Sequence, residues 1–113
     1  MFERWVSDRS HPTLFPVDRS VAVYASEALP CSLRRRANDL PLWVKSFGLR
    51  IEAHMPGRQV AWLRRSDGGW IAVVLVEALS ANRQSRVTMP LWLDPQLLTT
   101  DLSVIQQYEY PRA

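Results

Sequence analysis

Cysteine is nearly absent from this chain, with Cys31 alone among 113 residues. One thiol closes no intrachain bridge, which argues against a small secreted disulfide scaffold and for a reducing, cytoplasmic setting. Histidine is almost as scarce, only His11 and His54, and no His, Cys, Asp or Glu group has metal-ligand spacing. A glycine-rich phosphate loop and a Gly-x-Ser-x-Gly turn are missing as well. The longest apolar run, Trp70 to Val76, is seven residues, far below the ~20 of a membrane-spanning helix. The first twenty residues carry Glu3 and Asp8 and lack the apolar stretch of a secretory leader. These absences predict a cytoplasmic protein that is not an enzyme, with no cofactor, no metal and no membrane partner.

What is present is ordinary in bulk and uneven in distribution. With 47% hydrophobic and 22% charged residues the composition is that of a globular domain, and at this length one core is expected, not two. The formal net charge is +3. Residues 34–86 hold ten basic and four acidic side chains, a local +6, whereas residues 1–33 sum to −1 and residues 87–113 to −2. A basic middle therefore lies between acidic ends.

The expected architecture is α+β: an antiparallel meander of four to five strands, or a partly closed small β-barrel, with one kinked amphipathic helix packed on it. Residues 1–31 read as an arm punctuated by His11-Pro12 and Phe15-Pro16. Its stretch from Ser20 to Ala25 fits a short strand by alternation, or a helix start with Ser20 as N-cap. From Ser32, residues Leu33, Ala37, Leu40, Val44 and Phe47 fall on one helical face, predicting a helix over 32–47 that Pro41 kinks or breaks and Gly48 ends. Leu49, Ile51, Ala53 and Met55 then alternate as in a half-buried strand, and Pro56-Gly57 reads as a turn. Gln59 to Arg65, Trp70 to Ala78 and Arg86 to Leu93 are the next strands, with Ser66 to Gly69 as a hairpin turn. Pro90 places the last of them at an edge or a bulge. Asp94-Pro95 is an N-cap followed by proline at the first helical position, and Thr99 to Ile105 reads as a final extended piece. The strand from Trp70 is apolar on both faces, so both need cover, from the helix on one side and from barrel closure, a second layer or a second copy of the chain on the other.

The run Val60-Ala61-Trp62-Leu63-Arg64-Arg65-Ser66-Asp67-Gly68-Gly69-Trp70-Ile71-Ala72-Val73-Val74 resembles the central hairpin of Tudor-like small β-barrels. In those barrels a strand, an Asp-Gly turn and an aromatic-led strand precede a short turn and a closing strand, roles that Asp94 to Leu98 and Thr99 to Ile105 would fill. The resemblance spans residues 58–105 and implies barrel geometry. It brings no ligand, because Ile71 stands beside Trp70 and the strand is too apolar for an open cage of aromatics.

Three classes of function compete for these residues. For catalysis, Cys31 before a helix start is the best single residue, and His54 with Glu52 the best pair, but a packed thiol and a solvated surface pair account for both. For nucleic-acid binding, Arg34 and Arg35 at the helix start and Arg64 and Arg65 beside the hairpin turn offer phosphate contacts, with Trp62 and Trp70 to stack on a base. Three cations, Arg34 to Arg36, at a helix N-terminus oppose its dipole and hint at a use other than stability. For association with a protein partner or a second copy, five tryptophans are more than so small a core encloses, and Trp43 and Trp92 fall off the apolar faces of their segments. The reading is a non-enzymatic nucleic-acid-binding module, with a protein-interaction subunit or homodimer as the alternative.

Overall fold

The computed structural model describes residues 1–30 and 40–105. Five antiparallel strands form one sheet: β1 Leu14–Val23, β2 Met55–Arg64, β3 Trp70–Leu79, β4 Arg86–Leu93 and β5 Leu98–Thr99, in the spatial order β4-β3-β2-β1-β5. Among the described residues, two short helices, α1 Ala25–Ala28 and α2 Leu42–Phe47, and two 3-10 turns, Pro95–Leu97 and Leu102–Val104, accompany it.

The chain passes from β4 at one edge to β5 at the other through residues 94–97 alone. A flat five-stranded sheet would separate its edges by about 19 Å, while that link, mostly a 3-10 turn, reaches about 13 Å. The sheet is therefore curled into a half-barrel. Asp94 starts the link as expected: its carboxylate accepts the Gln96 N–H at 3.0 Å, and Pro95 occupies the first helical position.

The inner face of the curl is the core. Val21, Val23, Met55, Ala72, Val74, Val76, Ala78, Leu93 and Leu98 form its buried cluster, with Met89, Leu91 and Leu97 packed against it. α1 closes one end with Ala25, and Tyr24 N–H donates to the Leu97 carbonyl at 2.9 Å. Of the two readings of Ser20 to Ala25, the structure has the strand: Ser20 lies within β1, which runs through Val23, and the short helix that starts at Ala25 has Tyr24, not Ser20, at its N-cap.

β3 and β4 lie where the pattern put them, and Pro90 sits in an edge strand. β3 is interior, between β2 and β4, so only β4 offers a free edge on that side. The turn between β2 and β3 closes with Gly68 N–H donating to Arg65 C=O at 3.0 Å, and Gly68 takes φ 91°, which a side chain rarely tolerates.

Four expectations are corrected. Leu49 to Met55 is not a strand; apart from a single bridge from Leu49 to Ser80, the ladder begins at Met55. Pro56-Gly57 is no turn but the start of β2, opposite Ala22 and Val21. Pro56 is tolerated because pairing with β3 begins only at Gly57. Gly57 serves close packing: a Cβ there would stand 2.7 Å from Val74 Cγ1. Thr99 to Ile105 is extended only at its start, and Asp101 caps a 3-10 turn over Leu102–Val104, accepting from Ser103 N–H at 3.0 Å.

The fourth is the packing of the helix on the sheet. Residues 31–39 lie outside the described ones; the remainder is helical only from Leu42, immediately after Pro41, and Gly48 follows its last residue with extended backbone. No residue of α2 is buried, and Leu42, Trp43 and Phe47 are 80%, 67% and 59% exposed. α2 does not cover the sheet. It hangs by its C-terminal end from the loop between β3 and β4, where Asn82 N–H donates to Ser46 C=O at 2.8 Å and Ala81 N–H to Gly48 C=O at 3.0 Å.

On the outer face Val73, Ala61 and Leu63 are buried, and the arm that the pattern left unread contributes there. Phe2 packs on Trp92, ring centroids 6.1 Å apart, and Trp92 stands opposite Val73. Thr13 C=O accepts from Arg64 N–H at 2.8 Å, which ties the arm to the end of β2.

Candidate functional site

One end of the inner face is aromatic instead of aliphatic. Phe15 of β1, Trp62 of β2 and Trp70 of β3 lie side by side, with centroids 5.5 Å apart for Phe15–Trp70 and 6.3 Å for Trp62–Trp70. The second contact is edge-to-face at 79°, a geometry aromatic quadrupoles favour. With Pro95 from the link, these rings line a cavity of about 390 Å³. Its size and apolar walls suit a small planar group.

Two irregularities place the rings there. Gln59 pairs with Val74 and Ala61 with Val73, so β2 carries one extra residue, Val60, against β3. Strict alternation from Gln59 would turn Trp62 outward; the bulge returns it to the inner face opposite Ala72. On the other side, Pro16 pairs with Ala61 and Arg19 with Gln59, so β1 bulges at Val17 and Asp18 and sets Phe15 opposite Trp62.

Two cations stand on these rings. The Arg64 guanidinium lies 4.7 Å from the Trp70 centroid and that of Arg19 5.5 Å from Trp62. Among the described residues neither makes an ion pair, whereas Arg50, Arg58, Arg65 and Arg86 pair with Glu52, Asp18, Asp67 and Glu77. Asp18 holds the Arg58 guanidinium above its ordinary pKa by hydrogen bond and charge. Among the described residues, no carboxylate pairs with the positive charge of the aromatic corner.

Of the expected nucleic-acid residues, the structure brings together Trp62, Trp70 and Arg64. Arg65 is adjacent but tied to Asp67 at 2.8 Å. Arg34 and Arg35 lie outside the described residues, as does Cys31. Trp92 is 49% exposed on β4 and Trp43 67% exposed on α2; they belong to different elements and no ring contact joins them. His54 meets the Tyr24 ring edge-on at 5.3 Å while Glu52 pairs with Arg50, so the suggested His54–Glu52 pair is not formed. Ile71 pairs with Leu63 on the outer face, away from Trp70.

Phe15, Arg19 and Pro95 were missed. Phe15-Pro16 reads as punctuation in isolation, and nothing local assigns Arg19 a partner forty positions away. Among the described residues no group of three His, Cys, Asp or Glu is placed to hold a metal, and no helix is long and apolar enough to cross a membrane. Compared with protein families, characterised proteins and solved structures, the chain matches none.

Proposed function

We propose that the protein binds single-stranded nucleic acid, seating an unstacked base in the aromatic corner. The observation that carries this reading is the pair of guanidiniums, Arg19 and Arg64, lying on the tryptophans of an apolar cavity with no carboxylate paired to either among the described residues. Phe15, Trp62 and Trp70 supply stacking surface, worth about 1–3 kcal/mol per base. Arg19 and Arg64 supply phosphate contacts. A cationic ligand would meet repulsion from the same two groups, so the corner favours an anion that carries a flat ring. A duplex hides its base faces and is expected to bind only through phosphates. The resemblance of residues 58–105 to Tudor-like barrels is kept as a proposal about shape alone.

Fluorescence anisotropy of a labelled oligothymidylate tests the reading. Binding at low ionic strength that weakens with salt, and that Trp70→Ala abolishes while an unlabelled duplex competes poorly, supports it. No binding at low salt refutes it, since phosphate-driven affinity is strongest there.

A second reading is favoured by the exposed apolar residues of α2 and β4: Leu42, Trp43, Phe47, Val87 and Trp92 are between 47% and 80% exposed. Such a surface suits a protein partner or a second copy of the chain. Sedimentation equilibrium separates these cases, because a homodimer dissociates on dilution and a monomer at high concentration leaves only a foreign partner.

A further inference from the structure

Gln59 is the one polar side chain of the sheet that is fully buried. It sits where both bulges meet, opposite Arg19 on β1 and Val74 on β3. Gln59 Nε2 donates to the Ala61 carbonyl of its own strand at 3.2 Å. Its other end, Oε1, accepts from Arg19 Nε at 2.7 Å. A buried amide kept at the meeting point of two bulges is costly unless its hydrogen bonds are made. These two reach the backbone on one side and the guanidinium over Trp62 on the other.

We propose that Gln59 is a positioning residue that fixes Arg19 over Trp62 as a phosphate contact beside the stacked base. The inference rests on the nucleic-acid reading of the corner and names the residue that sets its charge. An arginine held through Nε leaves its terminal nitrogens directed outward, in the fork that suits a phosphate oxygen pair. Without that hold the long side chain would sample many rotamers, and ordering it would oppose binding. Among the described residues Arg64 has no such anchor, only its ring contact with Trp70.

The test is the salt dependence of oligothymidylate affinity. Each phosphate contact on a single strand contributes about 0.7 to the slope of log K against log salt. Arg19→Ala is expected to lower the slope by about that amount, Gln59→Leu to lower it similarly, and the double variant to lose no more than Arg19→Ala alone. Arg19→Lys, an exposed change that leaves the core intact, keeps the charge but loses the Nε hold and the fork, and is expected to behave like Arg19→Ala. A full slope in Gln59→Leu, additive losses in the double variant, or a wild-type slope in Arg19→Lys overturns the proposal while leaving the nucleic-acid reading standing. If Gln59→Leu fails to fold by circular dichroism, the Arg19→Lys slope decides. Absence of any wild-type binding removes both.

Discussion

The two ends of the half-barrel's inner face differ in what they do with charge. At the aromatic end, Phe15, Trp62, Trp70 and Pro95 line an open hollow of about 390 Å³, and Arg19 and Arg64 rest on the rings without an acidic partner among the described residues. At the other end, Phe47, Leu49, Ala78, Ser80, Ser85, Arg86 and Val87 line a smaller hollow of about 130 Å³. There Arg86 pairs with Glu77 at 3.3 Å, and Ser80 and Asn82 satisfy the loop's own backbone: Asn82 Oδ1 accepts from Gln84 N–H and Ser80 Oγ from Ser85 N–H, both at 3.0 Å. One end pairs its charged and polar groups among themselves. The other holds cations over flat rings and leaves them available, so the ends are not equivalent candidates for a ligand even though both are concave.

The largest effect expected from breaking this contrast comes from Trp70→Ala. It removes the ring that touches both Phe15 and Trp62 and carries Arg64. Because Trp70 is half-buried, the loss of stability is expected at about 2–4 kcal/mol, somewhat below the cost of a fully buried ring, together with loss of oligonucleotide binding. Urea unfolding and anisotropy measure the two.

Gly57→Ala probes the core that joins the ends. The added Cβ would meet Val74 Cγ1 at 2.7 Å and Leu75 C=O at 3.3 Å, and overpacking of this kind costs about 1–3 kcal/mol. The urea midpoint is expected to fall, with the affinity of the folded protein for oligothymidylate nearly unchanged. A drop in affinity as large as that of Trp70→Ala would show that the corner depends on β2 packing as much as on its own rings.

Arg86→Ala sharpens the contrast from the far side. Its pair with Glu77 has both side chains more than half exposed, and such pairs contribute about 0–1 kcal/mol. Stability should barely move, and the salt slope for oligothymidylate should match the wild type, unlike that of Arg64→Ala. Equal slopes for the two variants would mean that diffuse positive charge, and not the aromatic corner, carries binding.

The smallest effect is a titration. Hydrogen bonds from the Ser103 hydroxyl and N–H hold the Asp101 carboxyl below its ordinary value of 3.8. A lowered folded-state pKa gives stability that is present above the unfolded value and is lost as pH falls through the folded one. The turn over Leu102–Val104 should therefore loosen only in acid below about pH 3.8. Following Asp101 by carbon-detected NMR checks the direction, and Asp101→Asn should remove the inflection.

Local pattern made part of this molecule legible. Alternation and β-branching located β3 and β4, Pro90 marked an edge, the Asp-Gly turn required a left-handed glycine, and Asp94-Pro95 announced a capped turn. Trp62, Trp70 and Arg64 could be named because one hairpin places Arg64 opposite Trp70 and Trp62 opposite Ala72. The readings that failed depended on partners far along the chain. Pro56-Gly57 is turn-like by composition, yet β1 pairs with it and Val74 needs the glycine's bareness. α2 has an apolar stripe by spacing, yet its hydrogen bonds to the loop after β3 hold it off the sheet.

The sequence by itself determined the elements whose signals lie within a few residues: two strands, one hairpin, one capped turn and the excess of positive charge in the middle of the chain. Tertiary structure decided which of those charges matter. A bulge is a single residue that reverses the inward and outward alternation of everything beyond it. Val60 turns Trp62 inward, and the pairing of β1 with β2 brings Phe15 and Arg19 to it from positions that carry no local sign of their use. Register between distant strands is fixed by packing and closure of the sheet, which is why the aromatic corner exists only in the folded chain.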